Sequence, residues 1–153
     1  MDMDCLVQRN KAIFAIRLAE KASFYLQVDN QNIVKEALLL CWEWIETEIA
    51  LGEELYFFLD NEENRFTLLQ EFEEDSIKIS AWNCIIDAIA ILSRMAYEKM
   101  GQRFFPEAIE IVDDSTFSHM ISALIFCNDT EKDFIASVYD ACLKEQQDTA
   151  TIH

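Results

Sequence analysis

The chain has 153 residues, 52% of them hydrophobic, which is enough for a sizeable core and counts against disorder. With a formal net charge of −17 and a pI near 4.3, it lacks the basic surface that binds nucleic acid or anionic membranes. The same charge keeps a protein soluble and favours a basic partner. Gly52, Gly101 and Pro106 are the only glycines and proline, fewer turn residues than sandwiches or parallel α/β folds usually need.

The first predicted helix runs from about Cys5 to Val28. Leu6, Ile13, Ile16 or Leu18, Phe24 and Val28 give its apolar stripe, and Arg9, Lys11, Arg17 and Lys21 its wet face. Asp29 and Asn30 are candidate caps for a second helix, about Gln31 to Ala50. Its expected core stripe is Val34, Leu38, Cys41, Ile45 and Ile49. Trp42 and Trp44 are two residues apart, roughly 200° around a helix, so they cannot share that stripe.

Gly52 separates this helix from "EELYFFLD", a predicted short helix with Glu53 and Glu54 in its first turn. Four consecutive apolar residues, Tyr56 to Leu59, point nearly all the way round a helix, so one flank has to be poorly covered. The expected split sends Phe58 and Leu59 inward, and Tyr56 and Phe57 outward among carboxylates. "NEENRFTLLQEFEED" predicts a further helix carrying Phe66, Leu69 and Phe72, closed by a loop near Asp75 and Ser76.

The longest helix is expected from about Ile77 to Met100. Between Ala81 and Leu92 only Asn83 and Asp87 are polar, so it belongs at the centre of a bundle. Asn83, Asp87, Arg94 and Glu98 mark a narrow polar stripe in which Asp87 and Arg94 share hydrogen bonds. Gly101 suits the position just past its end. Pro106 either opens a helical turn or precedes a brief extended "AIEIV". Asp114 or Ser115 caps a helix to about Cys127. Thr130 with Asp133 resembles a capping box for the last helix, about Glu131 to Gln146. A polar, frayed tail is expected from about 147. The predicted architecture is all-α, a single compact domain of about six or seven helices.

The acidity is uneven. Residues 37–75 carry twelve acids and one base, net −11. Residues 1–36 are balanced, 76–106 carry +2 and 107–153 carry −8. The most acidic segment also holds the aromatic cluster, and aromatic anchors ringed by polar groups are typical of interfaces. Glu53, Glu54, Tyr56, Phe57, Asp60, Glu62 and Glu63 are therefore the candidate partner-binding residues.

No catalytic signature is found. The five cysteines, Cys5, Cys41, Cys84, Cys127 and Cys142, are odd in number and sit in apolar contexts, which predicts reduced core thiols and a cytoplasmic protein. "MDMDCLVQRN" lacks the apolar region of a secretory leader, and no apolar run is long enough to predict a membrane span. His119 and His153 are the only histidines, and no zinc or di-iron spacing surrounds them. No metal or other cofactor is expected. Glu43/Glu46 and Glu71/Glu74 form two Glu-x-x-Glu pairs, a pattern that resembles the Mg²⁺ motif of all-α nucleoside-triphosphate pyrophosphohydrolases. That family ends its second pair with Asp, where this chain has Glu74, and the region offers only Arg65 for phosphates.

"CWEWIETEI", "ELYFFLDNEEN", "AWNCIIDAIAILSRMAYE" and "FFPEAIEIVDD", spanning about Val34 to Asp114, together resemble the immunity proteins of bacterial polymorphic toxin systems. The nearest resemblance is to the all-helical family catalogued as immunity protein six. It implies a non-enzymatic cytoplasmic antidote whose partner is a cognate toxin protein; the chain's own acidity adds that this toxin is basic, for example a nuclease. A helical chaperone or adaptor for a secreted protein shares the acidity and is the remaining alternative.

Overall fold

A computed structural model describes residues 1–49, 52–59, 66–102 and 105–152. A short 3-10 turn, Met3–Cys5, is followed by eight helical segments: α1 (Gln8–Ser23), α2 (Val28–Thr47), α3 (Gly52–Leu59), α4 (Phe66–Glu71), α5 (Ser76–Lys99), α6 (Glu107–Glu110), α7 (Ser115–Cys127) and α8 (Glu131–Ile152). Among the described residues no strand occurs. Among the described residues the fold is an all-α bundle of seven helices plus the single turn α6.

α5 is the hub. It packs against α1, α3 and α7, and more lightly against α2, α4 and α6. Trp82, Ile85, Ile89 and Leu92 are fully buried along it, and they join Phe14, Ile16 and Leu18 of α1 in one core cluster. α5 is long and apolar enough to cross a membrane by length and composition, but here its apolar surface is covered by the neighbouring helices. Asp75 caps it by accepting from the N–H groups of Ile77 and Lys78, at 2.9 and 3.1 Å. At the other end Gly101 has φ +78° and closes a Schellman turn, Gly101 N–H to Glu98 C=O and Gln102 N–H to Tyr97 C=O.

The α1–α2 boundary departs from expectation. α1 stops at Ser23 and α2 begins at Val28, with Gln27 at its N-cap and no side-chain cap. Asp29 lies inside the first turn, and Phe24 and Val28 are exposed instead of buried. Tertiary anchors set this turn: Leu26 is buried, Gln31 Nε2 donates to Leu26 C=O at 2.7 Å, and Tyr25 Oη donates to Glu131 Oε1 of α8 at 2.9 Å. At its far end α2 stops at Thr47, with Glu48 in the left-handed region at φ 54°, so Ile49 lies past the helix and is exposed.

Other local expectations are corrected as well. α4 buries Phe66 but leaves Phe72 outside, just beyond its last turn. Of the two readings at Pro106, the helical turn is the one that forms, with Pro106 at its N-cap. The turn before α8 is held by Asn128, whose Oδ1 accepts from Thr130 N–H and Oγ1, and among the described residues the Asp133 side chain makes no capping bond. α8 continues past 147 to Ile152, so the expected tail is helical. Four cysteines are buried and free, but Cys5 is exposed, because it closes the surface 3-10 turn ahead of α1.

Candidate partner interface

α3 is short, and its side chains divide by position. Gly52, Leu55 and Leu59 are buried against the bundle, at the i, i+3, i+7 spacing of one helix face. Tyr56 and Phe58 are half-buried, and the Phe58 ring lies 5.8 Å from that of Phe66. Phe57 is 61% exposed, and Glu53 and Glu54 are exposed beside it. The expected split holds for Leu59 and Phe57. Tyr56 and Phe58 instead occupy the flanks, because Leu55 fills the inward position one turn before Leu59. Asp60, Glu62 and Glu63 lie outside the described residues.

α3 sits close on α5 because Gly52 has no side chain. A Cβ there would meet the Tyr97 ring at 2.9–3.2 Å, and Ser93 Oγ donates to Gly52 C=O at 2.7 Å. The close approach opens a groove of about 590 Å³ lined by Leu40 of α2, Glu53, Glu54, Phe57 and Phe58 of α3, and Tyr97 with Met100 at the end of α5. Burial, and then the negative charge of Glu53, push the Tyr97 phenol above its ordinary value. Tyr97 also meets Phe105 edge-on at 6.3 Å, and the Arg94 guanidinium lies 4.4 Å over the Phe105 ring.

Glu53 and Glu54 differ from many other carboxylates of the chain. Glu48 pairs with Lys99 at 3.5 Å, Glu98 with Arg94 at 2.8 Å, Glu73 with Lys78 at 3.9 Å and Asp114 with Lys11 at 3.3 Å. Among the described residues Glu53 and Glu54 have no ion pair. The arrangement can attract a cation and cover it with aromatic and thioether surface. Leu40, Tyr97 and Met100 went unidentified as site residues because they belong to helices remote in sequence from α3; only folding brings them to Phe57.

The tryptophans separate as their spacing requires. Trp44 is buried, and Trp42 is half-buried with its indole N–H donating to Glu20 Oε1 at 2.7 Å. Asp87 and Arg94 do not bond to each other. Arg94 holds Glu98 and the carbonyls of Ile109 and Glu110, docking α6. Asp87 Oδ2 is hydrogen-bonded to His119 Nδ1 and ties α5 to α7. Burial raises the Asp87 carboxyl above its usual value, and His119 draws it part of the way back. Among the described residues no three carboxylate, imidazole or thiol groups converge. Glu43, Glu46, Glu71 and Glu74 thus do not assemble the four-carboxylate site that the pyrophosphohydrolase pattern requires.

The family model described as immunity protein Imm6 matches residues 10–127, which include α2 to α7 and nearly all of α1. No curated protein and no solved structure matches the chain.

Proposed function

The chain belongs to the Imm6 family of immunity proteins, and from that premise we propose that it neutralises a cognate bacterial toxin domain by tight 1:1 binding in the cytoplasm. It acts by occupying the toxin's surface and performs no chemistry of its own. The contact surface is the α3 region, Glu53, Glu54, Tyr56 and Phe57, continued by Asp60, Glu62 and Glu63. The observation that carries this reading is the exposed Phe57 beside Glu53 and Glu54, which have no ion pair among the described residues. Interface hot spots are aromatic anchors surrounded by polar groups, and complementary charge accelerates encounter. The partner on this reading is basic, such as a nuclease whose substrate groove binds phosphates.

The test is co-expression with the protein encoded by the neighbouring gene, followed by growth rescue and co-purification. Rescue accompanied by a 1:1 complex with the folded toxin domain is expected. Binding only to an unfolded segment, without rescue, would instead establish a chaperone or adaptor.

A further inference from the structure

The groove between α2, α3 and the end of α5 has features that point to one kind of side chain. Its volume, about 590 Å³, lies in the range of specific ligand clefts, roughly 300–1,000 Å³. Its walls are the half-buried Tyr97 ring, the exposed rings and thioether of Phe57 and Met100, and Leu40. Its charged groups among the described residues are Glu53 and Glu54, and no described lysine or arginine lines it. Among the described residues the neighbouring cations are engaged: Lys99 with Glu48, and Arg94 with Glu98 and over Phe105. An occupant must therefore bring its own positive charge together with a flat or apolar body.

We infer that this groove receives an arginine side chain of the protein partner, its guanidinium between the Glu53 and Glu54 carboxylates and its stem against Tyr97, Phe57 and Met100. The inference deepens the toxin-binding reading and rests on it for the identity of the partner. A guanidinium fits better than an ammonium because it is planar, weakly hydrated, able to stack on rings and able to bond carboxylates in a fork. The adjacent Arg94–Phe105 stack shows the same chemistry inside this protein at 4.4 Å. Glu53 and Glu54 are consecutive in the first turn of α3 and need no rearrangement to meet a cation from solvent.

The probe is a set of capped peptides, identical except for one central residue: arginine, lysine or citrulline. Each is titrated into the ¹⁵N-labelled protein and followed by amide chemical shifts. The arginine peptide is expected to shift Glu53, Glu54, Phe57 and Tyr97 saturably, the lysine peptide more weakly and the uncharged citrulline peptide not at all. Glu53→Gln with Glu54→Gln should weaken the arginine response by about fivefold or more, with the remaining spectrum reporting an intact fold. No saturable shift, equal responses to arginine and citrulline or to arginine and lysine, or shifts confined to other surfaces would overturn the assignment. Growth rescue with a silent groove removes this inference and leaves the toxin-binding reading standing. A responsive groove without rescue does the reverse.

Discussion

At the residue scale the two glycines do different work, and alanine separates them. Gly52 is required by space: its Cβ position lies 2.9 Å from Tyr97 Cδ2 and 3.0 Å from Tyr97 Cγ. Those atoms are at the base of the ring, which cannot swing away without carrying its edge contact with Phe105. Gly101 is required by conformation: φ is +78° and, among the described residues, nothing lies within 4 Å of its Cβ position. Gly52→Ala should lose about 1–2 kcal/mol, because overpacking outweighs the modest helix-propensity gain near a helix start. Gly101→Ala should lose about 1 kcal/mol through left-handed strain alone. Asparagine tolerates that conformation, so Gly101→Asn should recover part of the loss, whereas Gly52→Asn should be worse than Gly52→Ala. Urea denaturation of the four variants checks the order. The sequence showed Gly101 as a helix terminator, because termination is a local property. It showed Gly52 only as a separator, because the ring that demands it lies 45 residues further along the chain.

At the element scale, helices defined by their own periodicity and caps were legible, and those defined by distant anchors were not. α5 and α7 fall within about a residue of expectation because Asp75, Gly101 and the Asp114/Ser115 turn act locally. The α1–α2 turn was misplaced because a partner on another helix holds it, and the fastening of α8 to α1 likewise has no local signal in the sequence. Asn10 of α1 is the clearest case. It is buried, and its Nδ2 donates to Cys142 C=O at 2.8 Å and lies within bonding range of Glu145 Oε2 and Gln146 Oε1, at 3.0 and 3.3 Å. Gln146 in turn accepts from Val7 N–H and donates to Cys5 C=O. This polar clasp fastens α8 and the N-terminal turn to α1 beyond the apolar contacts. Asn10→Ala should cost about 2 kcal/mol, the scale of leaving buried polar partners unmet. Amide hydrogen exchange should localise the effect, with protection falling in α8 beyond Cys142 and unchanged at the centre of α5.

At the scale of the whole molecule, the charge of −17 and its local arrangement make separable contributions to association. The segment count identified which stretch is acidic, but it could not tell neutralised carboxylates from unpaired ones, since ion pairs such as Lys11–Asp114 and Arg9–Glu145 join residues remote in sequence. Screening offers the separation. The Debye length is about 30 Å at 0.01 M salt and about 8 Å at 0.15 M. At low salt a basic toxin of the kind proposed above would feel the entire molecule; at physiological salt it would feel only the carboxylates it is about to touch. α3 packs on α2, α4 and α5, while α8 packs on α1 and α7, so the exposed Asp133 and Asp140 of α8 stand on other elements. Asp133→Asn with Asp140→Asn removes the same two negative charges as Glu53→Gln with Glu54→Gln. Both pairs should slow association at 0.01 M. At 0.15 M only the α3 pair should still do so, by about threefold or more. Stopped-flow association with the toxin across a salt series gives the comparison. Equal effects of the two pairs at 0.15 M would mean that overall charge, and not the α3 surface, guides the partner in.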